Sequence, residues 1–339
     1  MKKILLISDT SYKPDKIFMD QIPKLGKGFL RNGNDVRYFF YNSVLSQISW
    51  IKSKKYSAML YKNKTDKILA NYARTYSPDI IILGFIRNFD NNTVRLLRES
   101  AKNAVIIGGD GDPWPKLQEG RIETAKEVDI VTATNDGQWL QDYRDAGVPL
   151  CIFMPNMCDP DIDYRYEVED KWKKDILWIG KLQHQADTSE DFREKLITRL
   201  SNRPNSSLYG CCGNPPIGGQ DCLYAISGAK IGINVNAYGS SVRFAHSDRI
   251  TRFMAGGTLT MARRFDGSDI LFKDGVHIKY FDEIEEFFEL ADWYLKNETE
   301  RKKIADAGME WVHKEYNCQK IAKYYLDLVE NGTYNAPWT

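Results

Sequence analysis

The chain has no Cys-x-x-Cys pair among its six cysteines (Cys151, Cys158, Cys211, Cys212, Cys222 and Cys318), and its four histidines lie far apart. That spacing offers no zinc-ligand pattern, so no metal site is expected, and the cysteines read as reduced thiols of a cytosolic protein. Long apolar runs are missing too. The N-terminal MKKILLISDTS supplies only four consecutive apolar residues after two lysines, too few for a signal-peptide core or a spanning helix. Charge of one sign is also scarce: 47 Lys and Arg against 46 Asp and Glu leave +1. No bulk positive field marks nucleic acid as a partner, and any bound anion must be held locally. No internal repeat, low-complexity tract or G-x-G-x-x-G fingerprint is present, which leaves no basis for a dinucleotide cofactor. The expected location is cytoplasmic, with peripheral membrane contact left open.

What the chain does have is length and apolar content. Its 339 residues, 42% hydrophobic, suffice for a sizeable core and favour two domains. The first third alternates short apolar strands (KKILLIS, DVRYFFY, PDIIILGF, AVIIGGDGD, VDIVTATN, PLCIFMPN) with helical patterns such as residues 20–32, TVRLLRESAKN and GQWLQDYRDAG. After the acid- and proline-containing NMCDPDIDYRYEVEDKWKKD a second series follows: ILWIGKL, SSLYG, KIGINVN, GTLTMAR and HIKYF as strands, with helices between. Such alternation predicts an α/β chain with two parallel, doubly wound sheets and a boundary near residues 156–163. The last fifty residues read as amphipathic helices, and the row Phe287, Leu290, Trp293 and Tyr294 reads as a packing stripe.

One stretch poses a chemical question. In HSDRITRFMAGGTL, residues 246–259, Ile250, Phe253 and Met254 form a core stripe, which puts Arg249 and Arg252 on another face at a helix start. Ser247 or Asp248 can cap the first turn, and Gly256 can end the helix in a left-handed conformation. Unpaired amides, the helix dipole and two guanidinium groups suit a phosphate or pyrophosphate. The alternative is an ion pair in which Asp248 holds one arginine.

The ordered series ILWIGKL, LYG, AKIGINVN, SDRITRFMAGGTLTMARRFDGSDILFKDGVHIKYFDEIEEFFELADWYL and ERKKIADAGMEWVHKEY resembles the C-terminal half of GT-B glycosyltransferases. It is most similar to the group that includes CgeB-like spore-maturation proteins, a likeness shared by the N-terminal GGDGDPWP and DIVTATNDGQWLQDYRDAGVP. The resemblance implies two facing Rossmann-like domains: residues 1–157 on the acceptor side and 158–316 binding a nucleotide-sugar. Residues 317–339 then form a C-terminal helix and tail that cross back onto the first domain. It also implies transfer without a metal or other cofactor, to a glycan, glycolipid or related acceptor. The pattern departs at one position. Where the family has a glutamate for the donor ribose, this chain has Arg252, which cannot accept those hydrogen bonds, and eight residues earlier stands Phe244.

On this reading the donor side comprises Gly180, Lys181, His246, Ser247, Arg249, Arg252, Gly256 and Gly257, with Arg249, Arg252 and Lys181 meeting the leaving phosphate. Gly256 and Gly257 either let the backbone approach the donor or turn the chain. The loop from Tyr209 to Asp221 either closes over the donor base or is plain surface. For a base acting on the acceptor hydroxyl, Asp9, Asp110 and Asp112 sit after strands of the first domain, where ligand crevices open, and Trp114 can stack on a sugar ring. Asp110 and Asp112 can equally cap a turn. His184 and His246 are further polar candidates. Two rival functions remain on sequence grounds: sugar transfer to modified bases in DNA, as in phage enzymes of this fold, and a non-catalytic sugar-nucleotide or glycan binder.

Overall fold

The computed structural model describes residues 1–8, 20–51, 53–111, 119–182, 190–236 and 241–339. The chain divides into two compact units. Met1–Met154 with Ile321–Tyr334 forms unit 1, and Pro155–Lys320 with Asn335–Thr339 forms unit 2.

Unit 1 is built from β1 (Lys3–Ser8), α1 (Gln21–Arg31), β2 (Asp35–Phe40), α2 (Tyr41–Ile48), α3 (Lys54–Tyr76), β3 (Ile80–Leu83), α4 (Asn91–Ser100), β4 (Val105–Asp110), α5 (Glu119–Ala125), β5 (Ile130–Ala133), α6 (Gln138–Asp145) and β6 (Leu150–Phe153). Its six strands run in parallel in the order β2-β1-β3-β4-β5-β6. The inner strands are apolar at nearly every position because both faces are covered. All four residues of β3 are buried, as are Ile4, Leu5, Leu6 and Ile7 of β1. The α4 helix is started by Asp90, whose carboxylate accepts the Thr93 amide hydrogen at 2.9 Å. Two helices, α2 and α3, occupy a stretch in which the sequence shows no clear pattern. Apolar side chains on the solvent face of α3 blur its amphipathic stripe.

Unit 2 contains β7 (Lys174–Ile179), α7 (Glu190–Ser201), β8 (Ser206–Tyr209), α8 (Gly219–Gly228), β9 (Ala229–Asn234), α9 (Asp248–Ala255), β10 (Leu259–Arg263), α10 (Ser268–Leu271), β11 (Lys279–Phe281), α11 (Ile284–Lys296) and α12 (Glu298–Glu315). Its five parallel strands are ordered β11-β10-β9-β7-β8. Ile176 and Trp178 of β7, Leu196 and Leu200 of α7, Ile231 of β9 and Phe287 of α11 share one core. The proposed stripe on α11 holds for Phe287 and Tyr294. Trp293 departs from it and is 48% exposed, because Ala291 takes the inward position instead.

The last helix, α13 (Cys318–Asn331), contributes residues from Ile321 onward to unit 1. There the Tyr325 hydroxyl lies 3.1 Å from Thr132 Oγ1 on β5, and the Tyr334 hydroxyl donates to the Phe153 carbonyl. The final segment belongs to unit 2, where Trp338 packs on Tyr316 with ring centres 4.6 Å apart. Among the described residues, no helix is long and apolar enough to cross a membrane.

Candidate functional site

In unit 2 the chain leaves β7 toward β8 on one side and later fills β9, β10 and β11 on the other. The C-terminal ends of β7 and β9 therefore flank a topological switch point, where open parallel sheets leave a crevice for ligand. Helix α9 is pressed onto this place by its apolar stripe, with Ile250, Phe253 and Met254 at most 1% exposed. The contact depends on Gly232 in β9, since a Cβ there would stand 2.6 Å from the Phe253 ring. Ser247 caps the helix, its hydroxyl accepting from the Arg249 amide at 3.4 Å.

Arg249 spans the switch point. Its Nη1 donates to the Ile179 carbonyl at the end of β7 (3.1 Å), its Nη2 to the Val235 carbonyl just beyond β9 (3.2 Å), and its Nε to Asn234 Oδ1 (3.2 Å). These contacts use three of the five N–H donors of a guanidinium. The group lies 4.5 Å from the centre of the buried Trp178 ring, and Arg193 of α7 lies 4.8 Å from the same ring while donating to the Lys181 carbonyl at 2.7 Å. Burial and, next, the charge of Arg193 push Arg249 down to about 9, so it is still a cation at neutral pH. Asp248, the carboxylate that favours its charge, is already paired with Arg252 at 3.0 Å. The ion pair weighed as the alternative thus forms on Arg252, while Arg249 and Arg193 lie together against the Trp178 ring. Such a cluster at a helix start and a strand crevice can bind a diphosphate.

The other donor-side residues are placed as follows. A Cβ on Gly180 would come within 2.4 Å of Arg249 Nη1, so glycine is what lets the guanidinium reach the end of β7. Lys181 follows it with an exposed side chain. His246 is enclosed: Nδ1 accepts from the Asn156 amide at 3.0 Å, and the ring is flanked by Phe272 and Tyr316. Burial pushes it down to about 3, so it is neutral and holds structure. An enclosed ring of this kind does not fit the donor-side role expected of His246. Gly256 does not take the left-handed conformation proposed for it; its φ is −76°, and Gly257 has φ +70°. Gly257 faces Arg165, which donates to its carbonyl at 3.0 Å and pairs with Asp306. The loop after β8 is exposed from Cys212 to Pro216.

In unit 1, Asp110 ends β4 but is not an open carboxylate. It is 3% exposed and accepts from Trp139 Nε1 at 3.0 Å, Tyr143 Oη at 2.8 Å and Arg121 Nη1 at 3.2 Å. Burial pushes its carboxyl upward, while Arg121, Tyr143 and Trp139 act against that shift. The expectation of an exposed strand-end base is corrected at this position, because α5 and α6 close over it. Asn135, two residues past β5, is fully buried, and neither polar atom of its amide has a hydrogen-bond partner. Asp9, Asp112, Trp114 and His184 lie outside the described residues.

The fold has known counterparts. Residues 182–327 match the family model described as glycosyl transferase-like. Sucrose-phosphate synthase from Thermosynechococcus elongatus is similar over 97% of this chain and 98% of its own, with 12% identity and a TM-score of 0.66. HepE from Anabaena, in complex with UDP and glucose, aligns over 98% and 100% with 12% identity and a TM-score of 0.63. An alpha-glucosyltransferase in complex with UDP-glucose and DNA containing an abasic site aligns over 97% and 100%, with 13% identity and a TM-score of 0.61. The fold is GT-B. No curated protein sequence matches the chain.

Within this GT-B frame, the matched segment contains Arg193, Asn234, Arg249 and Arg252. The family model spans less than half of the chain, and the neighbours, at 12–13% identity, show the fold. Trp178, Arg193 and Asn234 join Arg249 in this cluster and were not among the candidates read from the sequence. Trp178 reads as an ordinary core residue, and Arg193 reads as a solvated cation on an amphipathic helix. Among the described residues, no group of three or more His, Cys, Asp and Glu side chains is arranged to hold a metal.

Proposed function

We propose that the protein transfers a sugar from a nucleotide-sugar donor to a glycan, glycolipid or related acceptor, without a metal ion. The observation that carries this reading is Arg249 bridging the ends of β7 and β9 at the switch point, with Arg193 beside it. The two guanidinium groups take over the phosphate-stabilising task that a divalent cation performs elsewhere. Their preorganisation is structural: Arg249 is already anchored on backbone carbonyls and on Trp178, so little reorganisation accompanies build-up of charge on the leaving diphosphate. Arg252 is unsuited to accept from ribose hydroxyls. The half-exposed carboxylate of Asp248, one helical turn earlier, is the acceptor for them. In unit 1, the buried Asn135 amide offers one donor group and one acceptor for an incoming hydroxyl.

The test is a thermal-shift and calorimetric screen of the purified protein, with a chelator present, against UDP, GDP, CDP, CMP, ADP, dTDP and their common sugars. Stabilisation by one nucleotide class is expected, through linkage of binding to folding. Arg249→Ala should abolish the shift. Absence of any response would refute the transferase reading and favour a glycan-binding role.

A further inference from the structure

Residues 50–67 contain six lysines and one aspartate in a chain whose total charge is only +1. Asp66 does not neutralise the outer surface. It is 3% exposed and turned inward, accepting from the Tyr41 hydroxyl at 2.6 Å and from Lys62 at 2.6 Å. Lys62 is itself held inward by Asp90 at 3.0 Å. Lys55, Lys64 and Lys67 remain exposed.

The same segment carries four large apolar side chains in water. Trp50, just before α3, is 85% exposed, and Tyr56, Met59 and Leu60 on its first two turns are 58%, 77% and 63% exposed. The last three fall at i, i+3 and i+4, so they share one face of the helix, and Asn63 and Lys67 continue that row. The opposite face is buried through Ser57, Thr65, Leu69 and Ala73. Packing in unit 1 is thus already satisfied by the inner face. An outward cluster of this size, rimmed by cations, is a docking surface rather than scattered exposure.

We infer that this outer face of α3, with Trp50, docks on the surface of an anionic lipid bilayer. An amphipathic segment at a membrane interface places its apolar side chains at the boundary between headgroups and acyl chains, with its lysines among acidic headgroups. Trp50 and Tyr56 have the amphipathic rings favoured at that depth. Charge complementarity selects this occupant over the others. A second copy docked by the same face would bring Lys55, Lys64 and Lys67 against like charges. Nucleic acid would use the lysines but leave Met59 and Leu60 without a partner. The inference does not depend on the transferase reading, and its test reads no activity.

The experiment is co-sedimentation of the full chain with vesicles of phosphatidylcholine alone or mixed with phosphatidylglycerol. Binding to the anionic vesicles is expected, falling as salt is raised. The combined substitutions Trp50→Ser, Met59→Ser and Leu60→Ser should weaken it by about tenfold or more, as should Lys55→Glu, Lys64→Glu and Lys67→Glu. All six side chains are exposed, so thermal unfolding of both variants should follow the parent. As a second reading, brominated acyl chains should quench fluorescence of the parent more than that of Trp50→Phe. Failure of the parent to bind anionic vesicles, parent-like binding by both variants, or equal quenching with Trp50→Phe would each overturn the proposal. So would a dimer in light scattering that the serine substitutions dissolve, or duplex DNA binding in the absence of vesicle binding.

Discussion

Arg249 Nη1 donates to the carbonyl of Ile179 at 3.1 Å, joining the first turn of α9 to the end of β7. With the second contact, to Val235, one side chain holds two strand ends at a fixed separation and keeps its charge beside them. Lysine preserves the charge but cannot make these planar, branched contacts. Arg249→Lys should therefore weaken binding of the donor nucleotide by about tenfold, or roughly 1.4 kcal/mol. Titration calorimetry of parent and variant checks this, and equal affinities would remove Arg249 from the site.

The Asp110 cluster leads to a stability prediction. Asp110→Asn keeps the volume but leaves Arg121, almost completely buried, without its counter-charge. Removing one partner of a buried ion pair costs about 3–5 kcal/mol. Urea unfolding of the variant should show a loss of that order, with an unchanged slope. A loss below about 1 kcal/mol, the range of exposed pairs, would show that water reaches the cluster.

The strands were legible in the sequence because both of their faces are covered, which turns β3 and β4 into continuous apolar runs between turns. Helix α9 was legible for a similar reason: Ile250, Phe253 and Met254 leave one face for Arg249 and Arg252. What the sequence concealed depends on contacts between distant residues. Asp110 reads as an open strand-end acid because its neighbours are glycines. It is closed off by Arg121, Trp139 and Tyr143, which arrive on two later helices. Arg193 acquires a role only because β7 presents Trp178 to it. Gly256 and Gly257 cannot be told apart locally, and the left-handed residue proves to be the second.

His246 predicts a pH dependence. Its folded value is pushed down to about 3 by burial, against an unfolded value near 6.5. The unfolded chain therefore binds a proton that the folded chain does not between these limits, so stability is complete above about pH 6.5 and declines as the pH falls toward 3. The slope from this group is about 1.4 kcal/mol per pH unit. His246→Asn keeps an acceptor for the Asn156 amide but cannot titrate. Urea midpoints measured from pH 7 to about pH 4 should fall more steeply for the parent than for the variant, and parallel curves would contradict the assignment.

Gly180→Ala separates site geometry from fold stability. The new Cβ would stand 2.4 Å from Arg249 Nη1, an atom at the tip of a long side chain, so the guanidinium moves before the sheet does. Nucleotide affinity should fall by about tenfold while the secondary structure seen by circular dichroism is retained. Unchanged affinity would mean that the bridge to Ile179 does not shape the nucleotide site.

Asn135 sets stability against function most directly. A buried amide with both polar atoms unpaired costs the fold roughly 1–3 kcal/mol, and replacing it with an apolar side chain of similar volume removes that cost. Asn135→Leu should accordingly raise the urea midpoint. If the amide is kept for an acceptor hydroxyl, the same variant should lose turnover while still binding the donor nucleotide as tightly as the parent. Because Asn135 lies in unit 1 and Arg249 in unit 2, the two variants make opposite predictions: Arg249→Lys loses donor affinity, and Asn135→Leu keeps it. A stabilised Asn135→Leu with full turnover would assign the orphan amide to tolerated strain rather than to acceptor recognition.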